Sequence, residues 1–78
     1  MAMESLQFEL DSAHEYVELN QLLKLAGLCD SGGIGKQIVA SGAVAVDGRT
    51  ELRKTCKIRV GQTVSLEGIE ILVVAGPE

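Results

Sequence analysis

The side chains with the clearest chemical potential in this 78-residue sequence are its cations, which are concentrated in one segment. Six of the seven basic residues lie between positions 36 and 59: Lys36, Arg49, Arg53, Lys54, Lys57 and Arg59. Lysines and arginines at this density can bind phosphate groups, because the local potential rather than the net charge governs that interaction. The alternative is a solvated basic loop without a ligand. The position of the segment in the fold distinguishes a phosphate-binding site from such a loop.

The net charge of −4 argues, as an average, against a nucleic-acid-binding protein. The charge is unevenly distributed, however, with −5 in residues 1–30, +4 in residues 31–59 and −3 in residues 60–78. The aromatic residues, Phe8 and Tyr16, are too few for a base-stacking platform of the RRM or OB type. Any nucleic-acid contact is therefore expected to be confined to the basic third of the chain.

Enzymatic chemistry has little support in the sequence. His14 lies in an acidic stretch without an evident nucleophile or partner, so we expect a surface histidine in a turn. The glycine-rich segment at 31–37 is similar to a phosphate-binding loop, but Asp30 stands where the first glycine is required. Gln37 likewise stands where a serine or threonine would hold magnesium. We therefore expect no catalytic residues.

The two cysteines, Cys29 and Cys56, are separated by 27 positions in the sequence. Together with the single histidine they are too few for a structural zinc site, which needs about four ligands. They could form one disulfide, but two small apolar side chains in a reducing compartment are the simpler interpretation. We expect neither a metal nor a cofactor.

Two helices precede most of the basic segment. Leucines at helical spacing predict a first helix over residues 18–26, followed by Gly27 in the position of a helix-ending glycine. Ser31 is a good N-cap for a second helix over residues 32–41. The three early glycines of that helix lower its propensity, and they also allow another backbone to approach closely.

Short strands are predicted on both sides of the helices, at residues 6–10, 44–46, 49–52, 63–66 and 69–74. Asp47-Gly48 and Glu67-Gly68 are two-residue hairpin turns. The expected fold is therefore α+β, with two helices packed on a small, curled, antiparallel sheet. If the segment that contains most of the cations is extended, Arg53, Lys57 and Arg59 would share one face and Lys54 would lie on the other.

Several pieces of the sequence match one known pattern. They are the leucine-rich helix at 19–26, Ser31 at the start of the second helix, Lys36-Gln37-Ile38-Val39, the segment 41–48 that ends in Asp47-Gly48, and the segment 57–64 that contains Val60-Gly61-Gln62. Residues 19–66 thereby resemble the S4 RNA-binding domain, also called the αL motif. With an added N-terminal and C-terminal strand, the chain is similar to small stand-alone bacterial S4-like proteins of the YbcJ type. We expect residues 1–78 to form one S4-like domain around a core motif at about 19–66.

The resemblance implies non-enzymatic binding of structured RNA, of ribosomal or other origin, through the second helix and the adjoining hairpin. The expected RNA-binding residues are Lys24, Ser31, Lys36, Gln37, Arg49, Arg53, Lys54, Lys57 and Arg59. Arg59 could instead pair with Glu67 or Glu70.

A second interpretation stays open. Gly32 and Ala45 stand where many S4 domains carry a basic residue, and the first 30 residues are acidic. The chain could therefore keep the S4 fold while binding a protein partner. The sequence contains neither a membrane span nor a secretory signal, so we expect a cytoplasmic protein that binds no membrane. The expected partners of this monomer are RNA and either the ribosome or another protein.

Overall fold

The elements of the chain follow one another in the order strand, helix pair and β-rich remainder. The structure is a computed structural model that describes residues 4–76. Its elements are β1 (Glu4–Leu10), β2 (Val17–Glu18), α1 (Leu19–Leu25), α2 (Gly32–Ala40), β3 (Val44–Val46), β4 (Arg49–Thr50), β5 (Lys57–Ile58), β6 (Thr63–Leu66) and β7 (Ile69–Ala75). The α+β class is confirmed, and both helices begin and end within one residue of the predicted limits. No helix in the described range is long and apolar enough to cross a bilayer.

The main sheet has five strands in the order β1-β7-β6-β3-β4. The pairs β3–β4, β3–β6 and β6–β7 are antiparallel, as expected, but β1 runs parallel to β7 from Glu4↔Ile69 to Leu10↔Ala75. The sheet is therefore mixed rather than purely antiparallel. A hairpin imposes antiparallel pairing, whereas β1 and β7 lie at opposite ends of the chain and no tight turn fixes their relative direction. Alternation of apolar residues predicts a strand but not its direction.

A second sheet consists of β2 and β5 alone, with Val17 opposite Ile58 and Glu18 opposite Lys57. The sequence did not predict it, because a two-residue strand is too short to show a periodicity. The segment at 53–59 is not extended throughout, so the condition for placing Arg53, Lys57 and Arg59 on one face is not met. Residues 54 and 55 form a turn, and the backbone N–H of Cys56 donates to the carbonyl of Arg53 at 3.2 Å.

Both predicted two-residue hairpin turns are confirmed. Asp47 and Gly48 have φ values of 51° and 84°, and Glu67 and Gly68 have φ values of 47° and 79°, as a type I′ turn requires. β4 ends at Thr50, however, so it is two residues shorter than predicted.

Hydrogen bonds explain why the Asp47 hairpin and the later Gln62 turn occur together in the sequence pattern. The Asp47 carboxylate accepts from the backbone N–H of Thr63 at 2.9 Å and from the side-chain amide of Gln62 at 3.2 Å. The amide oxygen of Gln62 in turn accepts from the backbone N–H of Arg59 at 2.8 Å. The two turns are thus fixed to each other.

One apolar core joins both helices to both sheets. Its most buried side chains are Leu10, Leu19, Leu22, Leu23, Val39, Val44, Ile58, Val64, Leu66, Ile71 and Val73. All three core leucines of α1 are fully buried, as the helical spacing predicts. A chain of this length has little further apolar area to bury, so the contact between α1 and α2 matters for stability.

The two helices approach each other most closely at Gly35. A Cβ atom at this position would lie 2.5 Å from the backbone oxygen of Asn20 in α1, a distance that real Cβ atoms do not show. The expectation that one of the early glycines of α2 permits a close backbone approach is therefore confirmed at Gly35. Gly33, by contrast, is exposed, and the nearest atom to a Cβ there is 3.8 Å away.

We expect Gly35→Ala to destabilise the protein by about 1–3 kcal/mol, because the helices must separate to accommodate the methyl group. Gly33→Ala is the matched control: it adds the same methyl group to the same helix without a clash, since the nearest atom is 3.8 Å away, and it should stabilise by about 0.5–1 kcal/mol through helix propensity. Urea unfolding of the two variants and the wild type measures both effects. Equal stabilisation by both substitutions would show that the helices are not in close contact at Gly35.

Candidate nucleic-acid interface

The loop at residues 51–56, here called the basic loop, is held in place by the N-terminus of α1. The first N–H groups of a helix have no partner within the helix. Glu18, at the N-cap position, provides no side-chain hydrogen bond. Instead, the N–H of Leu19 donates to the carbonyl of Cys56 at 2.8 Å, and the N–H of Asn20 donates to the carbonyl of Lys54 at 3.1 Å. The conformation of the loop therefore depends on α1.

Asn20 also connects α1 to α2. Its side-chain amide donates to the carbonyl of Gly32 at 3.3 Å, and its backbone oxygen faces Gly35. The residue is 2 % exposed. Because Asn20 contacts both the basic loop and α2, it fixes the position of the loop relative to the helix that carries Lys36.

Five cations lie along two adjoining grooves. The first groove runs between α2 and the basic loop and contains Lys36, Arg53, Lys54 and Lys57 in its walls. The second runs from the basic loop to the β3–β4 hairpin and contains Arg49, Arg53 and Lys57. Since Arg53 and Lys57 belong to both grooves, the five residues form one continuous surface, here called the basic face. All five are exposed.

Arg53 is engaged within the protein by Glu51. Its Nε and Nη2 atoms each donate to the Glu51 carboxylate at 3.0 Å, and its backbone N–H donates to the same group at 2.9 Å. These hydrogen bonds, the side-chain ones first, lower the pKa of Glu51 to about 2 and raise the pKa of Arg53. Sequence reasoning treated Arg53 as a free cation and missed Glu51, because the turn that brings the two together has no clear sequence signal.

Cys56 lies beside this ion pair, with its Sγ 3.6 Å from Glu51 Oε1 and 3.6 Å from Arg53 Nη2. Burial, together with the charge of Glu51, raises the pKa of its thiol. The side chain therefore stays a protonated thiol and not a reactive thiolate. Cys29 and Cys56 are both free and half-buried.

Arg59 contacts a residue that sequence reasoning did not place at the interface. Its Cζ lies 5.7 Å from the centre of the Tyr16 ring, and Lys57 Nζ lies 4.9 Å from the same point. Within the described residues Arg59 forms no ion pair with Glu67 or Glu70. The pairing of β2 with β5 brings Tyr16 to these cations, and neither strand was visible in the sequence.

Among the described residues, 4–76, three other expected RNA-binding residues lie outside the two grooves. Lys24 is exposed in the last turn of α1, and Gln37 is exposed on α2. Ser31 is the N-cap of α2, as predicted, and its Oγ accepts from the N–H of Ile34 at 3.1 Å. The structure therefore gives Ser31 a role in folding.

His14 is exposed in the turn after β1, as expected, but it has a partner. Its Nδ1 lies 2.9 Å from Asp11 Oδ1. The hydrogen bond to His14, followed by that from the N–H of Ala13, lowers the pKa of Asp11. Within the described part of the chain, no group of three or more histidine, cysteine or acidic residues has an arrangement that could hold a metal ion.

Comparison with known proteins identifies the family. The model of the family described as the S4 domain matches residues 8–74. The chain belongs to the S4 domain family. The resemblance inferred from the helices and turns is thus confirmed, and the match extends beyond the central motif into β1 and β7.

Two bacterial relatives of this S4 domain have descriptive names. The chain is 53% identical over 62 residues to "Putative RNA-binding protein YbcJ" of Escherichia coli, covering 80% of this chain and 89% of the relative. It is 37% identical over 54 residues to "Probable ribosome maturation protein RlbA" of Bacillus subtilis, covering 69% and 76%. The solution structure of YbcJ from E. coli matches the fold with a TM-score of 0.64 and 45% identity, over 96% of this chain and 91% of that one. That structure is described as revealing an αL motif involved in RNA binding.

We expect the Glu51 carboxyl to titrate at about pH 2, well below its ordinary value of 4.5, as measured by its side-chain carbon shift in an NMR pH titration. A lowered pKa means that the folded protein binds this proton more weakly than the unfolded chain does. The stabilisation by the Glu51–Arg53 pair is therefore complete above pH 4.5 and is lost as the pH falls from there to about 2.

The matched variants for this titration each remove one positive charge from the basic loop. Arg53→Met should return the Glu51 midpoint towards 4.5, whereas Lys54→Met should leave it low, because the shift arises from hydrogen bonds with Arg53. Equal midpoints in the two variants would show that general charge, and not this ion pair, sets the pKa.

Proposed function

We propose that this S4 domain binds structured RNA through the basic face and catalyses no reaction. The observation that carries the proposal is the convergence of three separate parts of the chain. Lys36 comes from α2, Arg49 comes from the β3–β4 hairpin, and the remaining three cations come from the basic loop and the start of β5. Their side chains line grooves, which suit the projecting phosphates of a folded RNA.

The arrangement favours recognition of shape and phosphate. The backbone of the basic loop is fixed by hydrogen bonds to α1, so the positions of its cations are set before RNA binds. Arg53 has five N–H donors: two bind Glu51, a second donor of Nη2 contacts Cys56 Sγ, and the two donors of Nη1 remain for a phosphate oxygen. The acidic first 30 residues and the acidic last third repel phosphate and limit the contact to one face.

The names of the relatives support the same proposal and suggest which RNA to test first. One relative is named for RNA binding and the other for ribosome maturation. We therefore propose ribosomal RNA as the structured RNA, with a monomeric protein acting in the cytoplasm. We also propose that residues 1–78 form one S4-like domain around a core motif at about 19–66.

The affinity of the purified protein for ribosomal RNA fragments should fall steeply with salt. If roughly 3–5 phosphates are contacted, log K against log salt has a slope of about −2 to −4. Lys54→Glu combined with Lys57→Glu should weaken binding and reduce the steepness of the slope by about 2, since two phosphate contacts are lost. Filter binding at several salt concentrations measures both quantities.

Two further variants serve as controls for charge. Lys24→Glu makes one such charge reversal on α1, outside the grooves, and should leave the slope unchanged. Glu51→Gln releases Arg53 and should steepen the slope by about 1. The absence of any RNA binding at low salt would refute the proposal, and protein partners that persist after nuclease treatment would support the protein-binding interpretation instead.

A further inference from the structure

A small apolar pocket of about 210 Å³ lies beside the basic face, between β1, β2 and α1. Its carbon-rich lining includes Phe8, Leu10, Tyr16, Val17 and Leu25. Two of these side chains are large and unusually exposed for apolar groups, Tyr16 at 37% and Leu25 at 59%. A concave apolar surface with exposed aromatic and aliphatic side chains is typical of a binding site.

Tyr16 connects this pocket to the cations. The antiparallel register of β2 and β5 pairs Val17 with Ile58, so Tyr16 continues the register opposite Arg59, with Lys57 on the adjacent diagonal. Both cations lie over the Tyr16 ring, with Lys57 Nζ 4.9 Å and Arg59 Cζ 5.7 Å from its centre. Tyr16 lines the pocket, whereas neither cation is among the residues that line it. Lys57 also lines both grooves, so Tyr16 links the pocket to the basic face through its contact with Lys57.

We propose that this pocket binds an unpaired nucleobase of the RNA, stacked on Tyr16, while Lys57 and Arg59 bind the phosphates of the same nucleotide. The inference rests on the proposed RNA binding and adds to it a site for one extruded base. Base stacking on an aromatic ring beside a cationic backbone contact is a general way of holding single-stranded nucleotides. A single tyrosine suffices for one base, even though the sequence has too few aromatic residues for a stacking platform.

The charges around the pocket determine which part of a nucleotide can enter. Its lining also contains His14 and two acidic residues, Glu9 and Asp11. These carboxylates repel a phosphate but can accept hydrogen bonds from the N–H groups of a base. The base is therefore expected inside the pocket and the phosphates outside it, on the side of Lys57 and Arg59. The RNA ligand should accordingly contain an unpaired nucleotide in a bulge or loop next to a folded region.

Ultraviolet crosslinking of the purified full-length protein to total bacterial RNA tests this assignment, since the mixture presents every cellular RNA sequence at once. After nuclease and protease digestion, mass spectrometry locates the nucleotide adducts. We expect an adduct at Tyr16. Adducts confined to the basic loop would overturn the base pocket while leaving RNA binding intact, and a lack of all adducts, together with no filter binding, would refute the proposed function itself.

Affinity measurements on matched variants complete the test. Tyr16→Leu should weaken binding of the same RNA by about 5- to 150-fold with an unchanged salt slope, because stacking but no ionic contact is lost. Tyr16→Phe keeps the ring and should retain affinity. Leu72→Ala, which alters a side chain of equal exposure on β7, should have no effect. Wild-type affinity in Tyr16→Leu would contradict the proposal and assign the pocket to another ligand, such as a protein segment.

Discussion

The position of the basic face depends on the buried residue Asn20. Its backbone N–H holds the basic loop through Lys54, its side chain holds Gly32 at the start of α2, and its backbone oxygen lies against Gly35. Close contact is possible only because position 35 has no side chain. These contacts tie the helix that carries Lys36 to the loop that carries Arg53 and Lys54. A shift of α1 relative to α2 would therefore separate the two walls of the first groove.

The positive charge of the protein is concentrated on one part of its surface. A chain with a net charge of −4 presents one surface of five cations, and one of these cations is already partly neutralised by Glu51. Such a surface gives little attraction at long range, because the acidic segments oppose it. Selectivity must then come from the fit of phosphates to fixed positions. The pocket beside Tyr16 would add a contact that does not depend on salt, which compensates for a small ionic footprint.

Much of the fold could be predicted from the sequence. The leucine spacing defined α1, the serine N-cap defined the start of α2, and the two hairpin turns followed from Asp47-Gly48 and Glu67-Gly68. The parallel pairing of β1 and the β2–β5 sheet could not be predicted. Strand direction has no local signal when the strands are far apart in the chain, and two-residue strands arise from tertiary contacts alone.

The residue types of the candidate site could be predicted from the sequence, but the contacts among its side chains could not. The density of cations pointed to one segment, and the structure joins Lys36, Arg49, Arg53, Lys54 and Lys57 in one surface. The roles of three residues depended on contacts that the sequence does not show. Asn20 looked like one polar position of an amphipathic helix, Glu51 looked like a solvated acid, and Tyr16 looked like an isolated aromatic residue.

The most direct test of RNA binding through the basic face is a map of the RNA contact on the folded protein. Amide shifts of the ¹⁵N-labelled chain, followed during addition of a ribosomal RNA fragment, report which residues meet the ligand. We expect the largest changes to cluster at α2 around Lys36, at Arg49 and in the basic loop, with little change on the exposed positions of β7. Changes centred on β1 and β7, with the basic face unaffected, would contradict this mode of binding.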